Sequence, residues 1–456
     1  MAKQVIRLLA TVAAIAVSAG YTYGQNILYE LPNIDAGNSI IRYYEGEKAY
    51  VIYTDDGTSR KFIYFDPSTS SAVSADFTST GIIVNDMKIV DKTLYFCGEK
   101  NGSNNAVFGL FNVYDLFFSS GAIKYSFTPT YTAYVSGATA VNENLNRFLQ
   151  IEVQHLSSTD IHIYMIAEAN YTMGGTTSND YRCIVDVWET GVGGGTAYSQ
   201  EQFSGVYYFN DLVMTDNDLV VVGDKRGGTA QYMHKYSLPT AMSSTIFPAF
   251  PTPIPYWFSD AAYYYPVPEV RVTHIKDSAF AVACYGAVLW NHKSIMVSVY
   301  NGISNLVDRI VIDDPYNTYQ IRDFEYRCDA DDTNKGYLYF VPEYSQTNKR
   351  NSQYVIDLIG YTMTAVSMLT PSIDEVHSLT LNDYKTELSG INASHLMVWH
   401  TDIPNNLCAT GANVPFDHFW DTEYDGKFTP DLNGWPYLYR IVSPIITNET
   451  VNFQCK

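Results

Sequence analysis

The chain has 456 residues, of which 15% are aromatic and only 17% charged, and Tyr alone occurs 39 times. Acidic residues number 48 against 28 basic ones, for a formal net charge of −20. That balance argues against nucleic acid and anionic membrane surfaces as partners, since both need Lys and Arg to neutralise phosphate.

Residues 1–24 carry Lys3 and Arg7, an apolar run from Ile6 through Val17, and the small residues Ser18, Ala19 and Gly20. This is the layout of a cleavable secretory signal, with cleavage expected near Gly24 and Gln25 left first. The run falls short of the roughly 20 apolar residues that span a bilayer, and no later segment approaches that length. The expectation is a mature protein without membrane insertion, placed in the periplasm, at the cell surface or outside the cell. Loss of Lys3 and Arg7 with the signal would carry the net charge from −20 to −22.

Beyond the signal, short apolar and aromatic runs recur between Gly, Asp, Asn, Ser and Pro: Tyr50 to Tyr53, Phe62 to Phe65, Leu94 to Phe96 and Leu219 to Val222. Tyr, Phe, Val and Ile favour the pleated surface of a sheet, and Asp56-Gly57 between two such runs reads as a hairpin turn. Sustained helical periodicity is missing, so the mature chain is expected to be all-β.

A repeat organises these runs. Asn85 to Gly102 (NDMKIVDKTLYFCGEKNG) aligns without gaps to Asn210 to Gly227 (NDLVMTDNDLVVVGDKRG), with seven of eighteen positions identical. Asp86 and Asp211 recur at one repeat position, which points to a structural turn or cap rather than to catalysis. Looser echoes begin near Ile40, Ser136, Arg271, Ile321 and Val376, giving seven units about 56 residues apart. Such a period suits a β-propeller, in which radial packing covers the edges and faces of small four-stranded sheets. The expectation is a propeller of seven blades, with six to eight allowed; the alternative is a pair of tandem β-sandwich domains. Residues 25–456 would form a single domain with an aromatic and acidic extension from about residue 405. In this architecture the chain resembles secreted bacterial β-propeller repeat proteins, a likeness that names no specific family. The Gly-His and Trp-Asp pairs of one propeller class, the double glycines of another and the aspartate box of sialidases are absent; Thr54 to Thr58 (TDDGT) is only a partial echo of the last.

Four stretches could carry a ligand or a bridge. Phe247 to Pro268 interleaves Pro with Tyr256, Trp257, Phe258, Tyr263, Tyr264 and Tyr265, flat faces suited to stacking on sugar rings or anchoring a protein partner. A loop folded over its own propeller is the favoured reading of the same rings, because six exposed aromatics would make a large apolar patch. Asp421, Glu423 and Asp425, with Gly426 at the sixth position, Thr429 at the ninth and Asp431 one place before the expected closing ligand, echo a calcium loop. Asp329 to Gly336 is a second acidic stretch and reads as a solvated hairpin loop. The six Cys lack the short spacings of a zinc site; Cys408 and Cys455 are the first candidates for a disulfide, and Cys97 reads as a small buried hydrophobe.

No Gly-x-Ser-x-Gly or His-Glu-x-x-His occurs, and the nine His are dispersed. Two functional classes follow. One is a secreted, non-catalytic binding or scaffold propeller recognising glycan or protein through aromatic loops, with calcium as the one cofactor the sequence suggests. The other is a carbohydrate-active hydrolase or lyase working from the central funnel.

Overall fold

A computed structural model describes the strands and most turns between residues 26 and 400, together with three short strands between 439 and 452. Residues 1–25, 239–251, 255–269, 401–438 and several shorter connections lie outside the described residues. The expected signal, the six aromatics from Tyr256 to Tyr265, the calcium-like loop with Asp421, Glu423, Asp425, Thr429 and Asp431, and both Cys408 and Cys455 all fall in that excluded part.

Strand β1 (Asn26–Glu30) stands apart from the first blade. Blade 1 is β2 (Ile40–Tyr44), β3 (Ala49–Asp55), β4 (Arg60–Asp66) and β5 (Ser71–Asp76). Blade 2 is β6 (Ile82–Val90), β7 (Thr93–Lys100), β8 (Asn105–Asn112) and β9 (Lys124–Phe127), with a short helix α1 (Val113–Phe118) before its last strand. In blade 3 the two-residue β10 (Thr132–Ala133) pairs with the start of β11 (Val141–Ser157), followed by β12 (Asp160–Met173), β13 (Thr176–Thr190) and β14 (Tyr198–Phe203). Blade 4 is β15 (Tyr207–Met214), β16 (Asp218–Lys225), β17 (Gln231–Ser237) and β18 (Thr252–Ile254). Blade 5 is β19 (Arg271–Lys276), β20 (Ala279–Val288), β21 (His292–Asn301) and β22 (Leu306–Asp313). Blade 6 is β23 (Thr318–Cys328), β24 (Lys335–Tyr344), β25 (Asn351–Ile359) and β26 (Thr362–Ser372). Blade 7 is β27 (Val376–Leu381), β28 (Glu387–Asn392) and β29 (His395–His400), completed by β1, which pairs antiparallel with β29.

The chain is thus a β-propeller with seven blades among the described residues, each an antiparallel meander. The inner strands β2, β6, β11, β15, β19, β23 and β27 touch in that order, and β27 returns to β2, so the ring closes. Closure by β1 joins the two ends of the array through backbone hydrogen bonds and covers an edge that blade 7 would otherwise leave open. Near the C-terminus, β30 (Tyr439–Val442) adds in parallel to the outer edge of blade 5, and β31 (Ile445–Thr447) and β32 (Thr450–Asn452) form a hairpin.

The aromatic and β-branched composition is explained by where the cores lie. Separate apolar clusters fill the spaces between blades 1 and 2, 2 and 3, 3 and 4, 4 and 5, and 5 and 6. A middle strand is sandwiched on both faces, and β3 is buried at all seven positions. Between blades 1 and 2, Phe62 contacts Phe77, Phe96 and Phe111 at ring centroid distances of 5.1, 5.8 and 4.9 Å. Such tilted and edge-on aromatic contacts fill the wedge between two flat sheets.

Both copies of the sequence repeat begin the same kind of blade. Asn85 to Gly102 spans the first two strands of blade 2, and Asn210 to Gly227 those of blade 4, with a bulge between Val84 and Asp86 in one and between Phe209 and Asp211 in the other. A Cβ on Gly98 would collide with the bulge carbonyl of Ile83, which accounts for a glycine here; Gly223, at the matching repeat position, pairs with Phe209 beside the bulge of β15. Asp56-Gly57 is the expected turn, with Gly57 at φ 80° and its amide donating to Asp55 Oδ1. Asp332 and Asn334 lie in the expected β23–β24 hairpin loop, where Asp332 Oδ1 accepts the Asn334 amide at 3.0 Å. The Pro-rich stretch from Phe247 is not wholly a connection between units, since Thr252–Ile254 forms the outer strand of blade 4; an edge position is where Pro253 is tolerated.

Candidate functional site

The inner strands send pairs of residues two apart toward the axis, as the strand period requires. Asp86 and Lys88 come from β6, Gln150 and Glu152 from β11, Asp211 and Val213 from β15, Arg271 and Thr273 from β19, and Asp323 and Glu325 from β23; Arg42 joins them from β2. Together they line a channel of about 390 Å³ that holds, among the described residues, three cationic side chains and five carboxyl groups.

Much of this charge ties one blade to the next. Asp86 Oδ1 accepts Arg42 Nη2 of blade 1 at 2.7 Å and its own neighbour's amide, Met87, at 2.8 Å, while Oδ2 accepts the Ile151 amide of blade 3 at 3.0 Å. Asp211 repeats the pattern one pair of blades on, with Leu212 at 2.9 Å and the Val272 amide of blade 5 at 2.9 Å. Bulged Asn85 donates through Nδ2 to Phe148 O of blade 3 at 2.7 Å. Arg42 Nε donates to Met87 O at 2.7 Å, and Arg271 Nε to Ile321 O of blade 6 at 3.0 Å. Gln150, with its amide turned to donate to Asp86 Oδ2 (3.0 Å) and accept from Arg271 Nη1 (2.8 Å), links blade 3 to blades 2 and 5 at once. The recurring aspartates are therefore structural, as their repetition implies, but they sit at strand bulges as latches between blades and not in turns. Asp308 makes the same contact nearer the rim, accepting the Arg309 amide at 2.9 Å and the Met363 amide of blade 6 at 2.7 Å.

Farther along the channel, Lys88 Nζ meets Glu152 Oε1 at 2.9 Å. Burial works to lower the Lys88 pKa, but the charge and hydrogen bond of Glu152, joined by the charge of Glu325, make the net shift upward. Burial pushes Asp211 up to about 7, against the pull of Arg271 and of its two backbone bonds. Glu325 is pushed up to about 8, first by burial and then by neighbouring Asp323, with Arg42 and Lys88 only partly compensating.

Among the described residues, no group of three or more His, Cys, Asp and Glu is placed to hold a metal ion. Cys97 is the buried hydrophobe expected of it, its thiol pKa raised by burial. No helix among the described residues is long and apolar enough to cross a membrane.

On the surface, α1 presents the rings of Tyr114 and Phe118, 52% and 47% exposed and 5.3 Å apart, with Phe118 edge-on to Tyr64 of blade 1 at 5.0 Å. Neither this pair nor the channel was marked by a sequence motif. The usable signal for the channel is positional: residues one and three places after each bulged or matching site of the repeat face the axis.

No protein-family model and no curated protein sequence matches the chain. Among solved structures it is similar to a chain of a mitotic checkpoint complex (10% identity, TM-score 0.44, covering 81% of this chain and 93% of that one). It is also similar to the C-terminal WD40 domain of Sif2 (10%, 0.42, 82% and 97%) and to the WD40 domain of Pan2 from Neurospora crassa (10%, 0.46, 83% and 96%).

Proposed function

We propose that this chain is a non-catalytic binding propeller that recognises a protein or glycan partner after export from the cytoplasm. The reading is carried by one observation: Asp86, Glu152 and Asp211, three of the five channel carboxyl groups, are already engaged with Arg42, Lys88 and the backbone amides of adjacent blades. Groups that hold the framework are poorly suited to exchanging protons with a substrate. The α1 rings Tyr114 and Phe118 supply an aromatic face of the kind that anchors partners, and Tyr256 to Tyr265 would extend such recognition to a second loop. Export rests on residues 1–24, and calcium at Asp421, Glu423 and Asp425 would stiffen the C-terminal extension.

A glycan array probed with protein lacking residues 1–24, beside the Tyr114→Ser/Phe118→Ser variant, tests the reading. A glycan retained by the parent and weakened about tenfold or more in the variant supports it. One specific observation favours the enzymatic alternative: a carboxyl held at about 8 beside a second carboxyl, Glu325 beside Asp323, is a pairing that general acid catalysis uses. Cleavage of any arrayed glycan, abolished by Glu325→Gln, would replace the binding reading with that one.

A further inference from the structure

The outer strand of blade 1 is an open edge with little to blunt it. Strand β5 (Ser71–Asp76) is built of small residues and pairs with β4 over its whole length without a bulge. Phe77 donates its amide to the Arg60 carbonyl at 2.8 Å, and the antiparallel ladder alternates from there. Ser71, Val73 and Ala75 therefore turn their backbone groups to β4. Ala72, Ser74 and Asp76 turn theirs outward, where no strand pairs with them among the described residues. Open edges are usually blunted by Pro, Lys or a bulge. In β5 none of these is present, and its one charged residue, Asp76, stands at the strand end with its carboxylate held by Thr78. By contrast, Pro253 lies in the outer strand of blade 4, and β30 covers β22 of blade 5.

The α1 rings stand beside this edge. Residues opposite each other in the β4–β5 pair share a face, so Val73 lies on the face where Tyr64 meets Phe117 at 5.7 Å and Phe118 at 5.0 Å. Helix α1 itself touches β5. An extended segment added to β5 would place every second side chain on that same face, toward Tyr114 and Phe118, which are 52% and 47% exposed. Strand addition at a blade edge already occurs twice in this molecule: β30 joins blade 5 in parallel, and β1 joins blade 7 antiparallel.

We propose that the outer edge of blade 1 binds an extended, cationic segment of a partner protein as an added strand, with apolar side chains of that segment on Tyr114 and Phe118. This rests on the reading of α1 as a recognition surface and narrows the partner to a protein. Backbone hydrogen bonds to Ala72, Ser74 and Asp76 supply the pairing, and the aromatic pair supplies the anchor. Charge selects the occupant. A second copy would bring another formal net charge of −20 to the edge, whereas a segment rich in Lys and Arg complements it. Asp66 and Asp76 stand at the two ends of the β4–β5 pair and Asp115 on α1, with Lys61 and Lys92 as the cations nearest them in these elements. A glycan offers no row of amides and carbonyls at the strand spacing, so it would leave the edge unpaired.

Selection from a phage-displayed library of random peptides on the full chain tests this, with Ser74→Pro as the counter-target. Enriched peptides are then made synthetically and measured by fluorescence polarisation. The expected peptides carry Lys or Arg, alternate apolar with polar residues and lack Pro between them. They should bind Ser74→Pro and Tyr114→Ser/Phe118→Ser about tenfold or more weaker than the parent, and lose affinity with added salt. Ser74→Pro removes an outward amide and leaves the β4 ladder whole, so its denaturant midpoint should stay close to that of the parent. Ala72→Lys, which keeps every amide and sets a like charge on the edge, should weaken the same peptides. Enrichment of no peptide that prefers the parent, or equal affinity for the parent, Ser74→Pro and Ala72→Lys, overturns the proposal. Self-association of the parent that Ser74→Pro abolishes would assign the edge to a second copy and overturn it too. Peptides or glycans that need Tyr114 and Phe118 but not the Ser74 amide would overturn strand addition and leave the α1 reading standing, so the two fail separately.

Discussion

Asp211 Oδ2 accepts the amide of Val272 across the boundary between blades 4 and 5, at 2.9 Å. Asp86 makes the matching bond to Ile151 at 3.0 Å, but it also neutralises Arg42 at 2.7 Å. The two residues are equivalent by repeat and unequal by charge. Asp86→Asn removes the carboxylate facing Arg42 and should cost about 3 kcal/mol. Asp211→Asn removes a carboxyl that burial already raises to about 7, and should cost about 1 kcal/mol. Urea unfolding at neutral pH compares them directly; equal losses would mean that the Arg42 pairing adds nothing.

Gly98 lies opposite the bulge of β6, where the Ile83 carbonyl occupies the place of a side chain. Gly98→Ala is expected to destabilise by about 1–3 kcal/mol through overpacking, and Gly223→Ala to act in the same direction. Parental stability in the Gly98→Ala variant, read from denaturant midpoints, would show that the bulge can move aside.

The pH dependence of stability follows from the channel. Glu325 stands at about 8 in the folded chain against 4.5 for a free glutamate, and Asp211 at about 7 against 3.8. The folded state therefore holds protons that the unfolded chain has released, so stability falls as pH rises through the interval between those values and levels off above about 8. Buried His234 works the other way, its pKa lowered to about 4 from 6.5, so its share of stability is lost as pH drops below 6.5. Above about pH 6.5 His234 no longer contributes, and His162, whose pKa its hydrogen bond to Asp186 raises from 6.5, acts in the same direction as the carboxyl groups. Denaturant midpoints should decline from about pH 6.5 to about pH 8 in the parent and decline less in Glu325→Gln; a midpoint independent of pH in both would contradict it.

How far the sequence discloses this molecule can be seen residue by residue. The ungapped match of Asn85–Gly102 to Asn210–Gly227 places two blade starts in register, and the echoes at Ile40, Arg271 and Val376 coincide with the first residues of β2, β19 and β27. Repetition is legible because each blade meets the same packing demand. The link from Asp86 through Gln150 to Arg271 is not, because blades 2, 3 and 5 contribute residues of different type, brought together only by closure of the ring. Asn26–Glu30 has no repeat signature either, since a single outer strand lacks the meander that marks a blade.

That strand yields a further prediction. Removing residues 26–30 strips β29 of its antiparallel neighbour and leaves blade 7 with three strands and an open edge. The shortened protein should unfold at lower denaturant concentration and show concentration-dependent association, as uncovered edges do. Sedimentation beside a denaturant titration checks both; a monomer of unchanged stability would mean that the ring closes without β1.

Whether the channel aspartates hold the blades together is measured most directly by equilibrium unfolding of Asp86→Ala, Asp211→Ala and the double variant. Asp86→Ala leaves Arg42 and the Ile151 amide without their acceptor and should cost about 3–5 kcal/mol; Asp211→Ala should cost about 1–3 kcal/mol. Because the Asp86 charge acts on Asp211 and Gln150 links Asp86 to Arg271, the loss in the double variant should depart from the sum of the single losses by about 0.5 kcal/mol or more. Parental stability in both single variants would contradict the account, and would return these carboxyl groups to the list of residues available for chemistry.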